Sequence, residues 1–364
     1  MESPLQFFAG LEDPRVERTK VHLLEDIVFI SIASVLCGAE TWNEMEYFGK
    51  CKIEWLKTFL KLPGGIPTHD TFNRFFSAVG PQQFEQCFLQ WTQSIARLTD
   101  GEVVSIDGKA IRGSKDNGKK SMVHMVSAWA GANNLVLGQY KVDDKSNEIT
   151  AIPQLLKVLV LKGCIVTIDA MGCQKEIASD IINKEADYIL ALKGNQGTLL
   201  EEVEDSFRFI QTTHVSVERN LDHGRIEKRT CTVLEDLSLI DQKGQWTSLR
   251  SLIKIESERC NKATLQMEKE TRYYISSLSA NASHLNRCIR AHWGIENSLH
   301  WVLDVAFNED QSRKRAGHAA QNFSVLNRIA LNIIKNERTS KAGVKSKRLK
   351  AGWDTKYLSA LLKI

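Results

Sequence analysis

The sequence predicts an α/β protein: a mixed sheet flanked by helices, preceded by a helical N-terminal part and interrupted by a β-rich insertion. Three observations predict it. Apolar residues recur at helical spacing through the first hundred residues, then change after Gly101 to short strand-like runs that alternate with helical segments. Two of those runs close on an aspartate, Asp107 and Asp169. Between about residues 199 and 270 a charged helical stretch and further strand-like pieces intervene before a long helix resumes at 282–305.

The N-terminal helices come first. Leu23-Leu24-x-x-Ile27-Val28 has helical spacing, residues 42–62 form another such stretch, and Thr68-His69-Asp70-Thr71 opens a third after Pro67 in the manner of a capped helix. Residues 84–98 make a fourth. Short helices, a Gly-Gly-Ile-Pro turn at 64–67, and Asn73 and Arg74 on the third helix permit a DNA-binding bundle of helix-turn-helix type; an ordinary packing domain is the alternative.

The strands follow. Residues 102–107 form a short apolar run ending in a carboxylate, 121–130 alternate as a second strand, and after the turn signal Gly131-Ala132-Asn133-Asn134 a third runs over 135–142. Residues 152–161 read as a helix with Pro153 in its first turn. Residues 164–169 are an apolar strand closing on Asp169, 174–185 a helix, and 188–192 a strand ending at Lys193. The order β-β-β-α-β-α-β fits a ribonuclease-H-like core, which expects one more helix carrying a further acid. The division is then a helical domain at 1–100, a core at 101–335 with an insertion at about 199–270, and a basic tail at 336–364.

Composition excludes several classes. In 364 residues, 43% hydrophobic and 25% charged, neither a disordered nor a fibrous chain is expected. The apolar run at 23–37 is broken by Glu25 and Asp26 and is shorter than the ~20 residues that cross a bilayer, so no membrane is expected. Residues 1–10 lack the basic stretch and apolar centre of a signal peptide, which predicts the cytoplasm. Eight scattered cysteines form no C-x-x-C pair and read as reduced thiols. Charge is uneven: residues 335–364 hold nine lysines and arginines against Glu337 and Asp354, a net +7 in a chain of +4. A basic segment on a nearly neutral body suits a polyanion such as nucleic acid, or a plain solvated helix.

The acids carry the chemistry. In-line displacement at phosphorus without a covalent intermediate needs positive charge on the attacking and leaving oxygens, which two divalent ions held by several carboxylates supply. Asp107 and Asp169 end buried strands expected to be neighbours, so the sheet fixes their backbones. The third acid is expected on the last helix, where His292, Glu296 and His300 recur every four residues among bulky apolar neighbours; Asp304, Glu309 and Asp310 are reserves. Lys109 and Arg112 (in Gly-Lys-Ala-Ile-Arg-Gly-Ser-Lys, 108–115) and Lys193, Asn195 and Gln196 are candidates to meet DNA phosphates; a solvated turn is the alternative for each group. Arg313-Lys314-Arg315 adds positive charge beyond the helix.

Ser-Ile-Asp-Gly-Lys-Ala-Ile-Arg-Gly (105–113), Asp-Asp-Lys-Ser-Asn-Glu-Ile-Thr-Ala-Ile-Pro (143–153), Ile-Asp-Ala-Met-Gly-Cys-Gln (168–174), Leu-Lys-Gly-Asn-Gln (192–196) and His-Trp-Gly-Ile-Glu-Asn-Ser-Leu-His-Trp-Val-Leu-Asp-Val (292–305) together resemble the H-repeat-associated group of bacterial insertion-sequence transposases, over nearly the whole chain. The resemblance implies a DDE transposase whose Asp107, Asp169 and Glu296 hold Mg²⁺, with Mn²⁺ substituting. It also implies an associated N-terminal helical domain and a β-rich insertion before the Glu helix. Its partners would be double-stranded DNA, both terminal inverted repeats and target, bound by a homodimer in the bacterial cytoplasm at the nucleoid. Related transposases carry a Tyr/Arg/Glu/Lys signature around the last acid; the matching positions here are Ile289, His292 and Leu303, so DNA contact falls to His292, Trp293, Asn297 or Arg290. The rival readings are a catalytically silent DNA-binding relic and a metal-dependent nuclease without strand transfer.

Overall fold

The computed structural model describes residues 3–115, 121–143, 147–222, 225–262 and 266–364. Residues 144–146 of the 143–153 motif lie outside them. Helix α1 (Leu24–Leu36) buries every residue from Asp26 onward, which is why its sequence is apolar on all sides. Helix α2 (Trp42–Cys51) starts with a capping box in which Thr41 and Glu44 each accept the other's backbone N–H. Lys52 leaves helical geometry (φ −107°, ψ 15°), so the stretch expected over 42–62 divides into α2 and a short α3 (Ile53–Leu56). Helix α4 (His69–Ala78) is capped by Thr68, and α5 (Pro81–Ile95) opens on Pro81, where a missing N–H costs nothing.

The sheet follows the expected order, with the intervening helices on its faces: β1 (Val103–Ile111), β2 (Val123–Ala130), β3 (Leu135–Lys141), α6 (Glu148–Val158), β4 (Ile165–Ile168), α7 (Lys175–Asn183), β5 (Asp187–Leu192) and α8 (Gly197–Phe209). Then come β6 (Val215–Asp222), β7 (Arg225–Leu234), β8 (Ser251–Asn261) and β9 (Met267–Ser276). Among the described residues the strands form a nine-stranded sheet of order β3-β2-β1-β4-β5-β9-β8-β7-β6. β1 to β3 are an antiparallel meander, whereas β1, β4 and β5 run parallel. That is a ribonuclease-H-like core. The insertion lengthens the same sheet: β9 pairs antiparallel with β5, and β8, β7 and β6 continue outward as hairpins.

Strand β1 runs on to Ile111, past its expected end at Asp107, and two further elements differ from the expectation. Helix α6 begins at Glu148, four residues before the expected start, because Asn147 Oδ1 accepts the Ile149 N–H and caps it; Pro153 therefore lies inside the helix. The long helix expected at 282–305 is interrupted. Helix α9 (Ala282–His292) ends near Trp293, a π-helical segment spans Glu296–His300, and α10 (Trp301–Phe307) continues from it.

Helices α6, α7 and α8 pack Ile152, Leu155, Ile177, Ile181 and Val203 against Val104, Ile106, Val166 and Leu190 on one face. On the other, Leu285 and Ile289 of α9 meet Ile165, Ile189 and Ile253. A third apolar cluster joins the N-terminal helices to α10, α11 (Ala319–Asn336), α12 (Val344–Trp353) and α13 (Thr355–Leu362), and reaches the sheet at Trp129 and Val136. In α11, Asn332 uses its side-chain amide as a backbone substitute, accepting from Val136 N (2.8 Å) and donating to Val136 O (2.9 Å).

The basic segment 336–364 is largely folded into this body. Ala351, Leu358 and Leu362 are buried in the helical cluster. Arg348 is also buried and donates through Nη2 to Val35 O (2.8 Å), satisfying a carbonyl of the last turn of α1. Lys347 pairs with Glu337 at 3.1 Å. Two of the nine charges thus hold the fold and are withdrawn from any external polyanion. Among the described residues no helix is long and apolar enough to cross a membrane.

Gly317 links the two helical groups. Its φ is +48°, a Cβ there would fall 2.2 Å from Ser77 O, and that same carbonyl accepts the His318 N–H at 3.0 Å. Gly317→Ala is expected to destabilise the protein by more than about 1 kcal/mol, since both backbone geometry and space are wrong for a methyl group. A chemical denaturation midpoint equal to that of the parent would contradict this.

Candidate active site

Pairing in register places Ser105 beside Thr167 and Ile106 beside Ile168 on the parallel strands β1 and β4. Asp107 and Asp169 are the next residues on each, so the sheet delivers two carboxylates side by side at one edge. Asp107 lies within β1 and its Oδ1 accepts the Gly108 N–H at 2.9 Å. Asp169 stands one residue past β4, and its Oδ1 accepts from Met171 N (3.1 Å) and Gly172 N (3.4 Å), which fixes the side chain at the start of a tight 3₁₀ turn.

Glu296 comes from the π-helical segment. Together Asp107, Asp169 and Glu296 line one cavity of about 450 Å³, with Lys193, His292, Trp293 and Arg272 also on its wall. Glu296 is half-exposed, its side chain 52% accessible, whereas Asp107 keeps 16%. Burial raises the Asp107 carboxyl well above the usual range, and the neighbouring Glu296 raises it further. Asp169 is raised too, first by burial and then by the charge of Glu148. Carboxylates that repel one another in a partly dry cleft are a strained arrangement for the protein alone, which a cation would relieve.

Two residues outside the expected set belong to this place. His300, 5% exposed, aims Nδ1 at both carboxylates, 3.6 Å from Asp107 Oδ2 and 3.5 Å from Glu296 Oε2. One ligand atom from each of Asp107, Glu296 and His300 lies within 4.8 Å of the others. The four-residue stripe of histidines and Glu296 was the signal for it. Glu148, at the start of α6, lies against Gly108: a Cβ there would meet Glu148 Oε1 at 2.0 Å, and the same oxygen is 3.0 Å from His124 Nε2. Its place in the 143–153 motif was the available clue.

The candidate DNA contacts divide. Lys109 lies in β1 and not in a turn; its side chain is buried and paired with Asp304 (2.7 Å) and Asp310 (3.1 Å). Alternation along the strand puts Lys109 on the Asp107 face, where those acids close over it. Arg112 is 80% exposed, with its Nε in a loose pair to Asp310 at 3.4 Å. Lys193 is exposed on the cavity wall. Asn195 Nδ2 donates to Ala170 O (2.7 Å) and Gln196 Nε2 to Cys173 O (2.9 Å), so both amides brace the turn that carries Asp169. Arg290 points toward the insertion, 3.9 Å from Glu227. His292 Nδ1 shares a hydrogen with Thr167 Oγ1 at 2.9 Å, and burial pushes its imidazole down to about 4. Trp293 is 40% exposed with the Arg272 guanidinium 4.7 Å above its ring; Asn297 is exposed on the same segment. Of the reserve acids, Asp304 and Asp310 hold Lys109, and Glu309 is buried against Arg328 at 2.6 Å.

Burial, followed by the charges of Arg328 and Lys109, pushes His300 down to about 3, so both site imidazoles are neutral at neutral pH. The cleft therefore offers carboxylate oxygens, neutral nitrogens, and a cationic and aromatic rim at Lys193, Arg272 and Trp293.

Comparison with known proteins gives the chain's family. The family described as "Transposase DDE domain" matches residues 98–333, and the one described as "DDE_Tnp_1-associated" matches residues 5–92. "Putative transposase YncI" of Escherichia coli O157:H7 is 43% identical, covering 100% of this chain and 95% of its own. "H repeat-associated putative transposase YhhI" of Escherichia coli K12 is 41% identical over 94% of this chain and 92% of its own. A solved structure of the piggyBac transposase synaptic complex with hairpin DNA is similar at a TM-score of 0.46 and 11% identity, over 100% of this chain and 81% of that one.

Proposed function

This chain belongs to the DDE transposase family, and on that footing we propose that it cuts DNA at the ends of an insertion sequence and joins the freed 3′ ends to target DNA. The observation that carries the reading is the convergence of Asp107, Asp169 and Glu296 on one cavity from two adjacent strands and a distant helix.

The family implies a divalent cation, and the donor set fits one. Three carboxyl groups in one partly buried cleft suit a hard ion such as Mg²⁺, and a bound cation would offset the burial and like-charge neighbours that raise the Asp107 and Asp169 carboxyls. When bound, Mg²⁺ or Mn²⁺ supplies the positive charge that stabilises the attacking and leaving oxygens of an in-line displacement. The chain does the positioning. Backbone N–H groups of residues 108, 171 and 172 orient the two aspartates, and the amides of Asn195 and Gln196 hold the turn behind Asp169. Thr167 fixes His292 at the back of the cleft. Lys193 and Arg112 are left to attract phosphates in a salt-dependent way, and Trp293 with Arg272 presents a flat cationic surface for an unpaired base. Joining two ends calls for a homodimer on DNA.

The test is incubation of purified protein with a DNA fragment bearing the terminal inverted repeats, Mg²⁺ and a target plasmid. Joined products are expected. Cleavage without joining would make the protein a nuclease, and a salt-sensitive gel shift without cleavage would make it a silent binder; either result overturns the reading.

A further inference from the structure

We propose that His300 Nδ1 is a direct ligand of the cation held by Asp107 and Glu296, so that this ion sits in a set of two carboxylates and one imidazole. The inference rests on the reading of the cleft as a cation centre and adds a donor of different chemistry to it.

Spacing is the first support. His300 Nδ1 stands 3.6 Å from Asp107 Oδ2 and 3.5 Å from Glu296 Oε2. Those separations exceed a good hydrogen bond, which would bring N and O to about 2.7–3.2 Å. They suit atoms that share an ion: donors each ~2.1 Å from a common centre lie roughly 3 Å apart when adjacent and ~4.2 Å when opposite.

Burial is the second. The ring is only 5% exposed, and its Nδ1 faces the Asp107 and Glu296 carboxylates at distances too long for a good hydrogen bond. A buried imidazole without a good hydrogen bond is costly unless something else engages it. Among the described residues, Nδ1 is directed at the carboxylates of Asp107 and Glu296.

Backbone is the third. Glu296 and His300 are the first and last residues of the π-helical segment, an expanded turn inserted between α9 and α10. Such turns are rare and recur at functional sites because they re-aim side chains within a helix. Here Glu296 and His300, four residues apart at the two ends of that turn, both bring a ligand atom to Asp107. His292, one α-helical turn before Glu296, is occupied by Thr167 and takes no part.

A nitrogen donor also tilts the site toward ions that accept imidazole, so Mn²⁺ is expected to bind more tightly than Mg²⁺. The experiment is pulsed electron paramagnetic resonance of the full-length protein loaded with Mn²⁺ alone. The expected result is a ¹⁴N coupling from a directly bound imidazole, present in the parent and in His292→Asn and absent in His300→Asn. The asparagine oxygen takes the position of Nδ1, so His300→Asn is expected to keep its fold and bind Mn²⁺; His300→Ala is expected to lose about tenfold or more in Mn²⁺ affinity. Bound Mn²⁺ with no nitrogen coupling in the parent overturns the role of His300 and leaves the carboxylate centre standing. A coupling that survives in His300→Asn overturns it as well. Failure of the parent to bind Mn²⁺ at all overturns the cation centre itself.

Discussion

Asp107→Asn is expected to lower Mg²⁺-dependent cleavage by about 10³-fold or more while leaving DNA binding intact. Both halves follow from charge. The amide oxygen of asparagine can still accept the Gly108 N–H, so the strand keeps its geometry. What disappears is the group that carries the negative charge balancing a bound cation; without the metal its raised carboxyl largely keeps its proton near neutrality, so DNA binding in EDTA changes little. Asp169→Asn and Glu296→Gln should behave alike, because all three carboxyls line the one cavity. A single-turnover assay on an end-bearing fragment, paired with a gel shift in EDTA, separates the two effects. Cleavage by Asp107→Asn within tenfold of the parent would remove Asp107 from the chemistry.

The same substitution carries a stability signature of opposite sign. The Asp107 carboxyl is raised in the folded, metal-free protein by burial and by Glu296. A carboxyl raised on folding costs stability wherever the unfolded chain would ionise it, that is, above the ordinary value of about 4. The cost is absent at lower pH and grows as the pH rises toward neutrality. Asp107→Asn should therefore melt above the parent at neutral pH without divalent ions, and that advantage should shrink in acid. Catalytic acids crowded together in this way trade stability for function.

How far the site was legible in the sequence depends on which physical signal each part leaves. Apolar β-forming runs that stop at an acid leave a strong one. Adjacency of Asp107 and Asp169 then follows from the parallel pairing that a β-β-β-α-β order imposes on the first and fourth strands. Boundaries leave weaker signals: α6 starts at Glu148 because of the Asn147 cap, which the apolar period of the helix does not register. The π-helical segment leaves none, since its residues keep ordinary helical periodicity on either side, and so His300 reads as part of a stripe. Charge counts mislead where cations are buried. Lys109 and Arg348 count as available cations in the sequence, yet one closes on Asp304 and Asp310 and the other on the Val35 carbonyl of α1. The insertion reads as a separate block of strands, but free edges of β-strands seek partners, and β9 finds one in β5.

Removal of Arg328 should be the most damaging single change to stability outside the cleft. Its side chain and that of Glu309 are 0% and 2% exposed and meet at 2.6 Å, with Arg328 Nη1 also donating to Ser324 O at 3.1 Å and Asn327 Nδ2 to Glu309 Oε1 at 3.3 Å. Arg328→Met leaves a carboxylate uncompensated in the interior, which costs about 3–5 kcal/mol. The pair itself is incompletely satisfied: among the described residues Arg328 Nε and Nη2 and Glu309 Oε2 have no hydrogen-bond partner. Desolvation is thus only partly offset, and the double variant Arg328→Met, Glu309→Leu should recover most of what the single variant loses. The consequence extends to the cleft, because Glu309 anchors the turn whose next residue, Asp310, holds Lys109 two positions from Asp107. Urea denaturation of the parent, the single and the double variant measures the cycle. A single-variant loss below about 1 kcal/mol, or a double variant no better than the single, would show that this pair is not the buried anchor that its geometry describes.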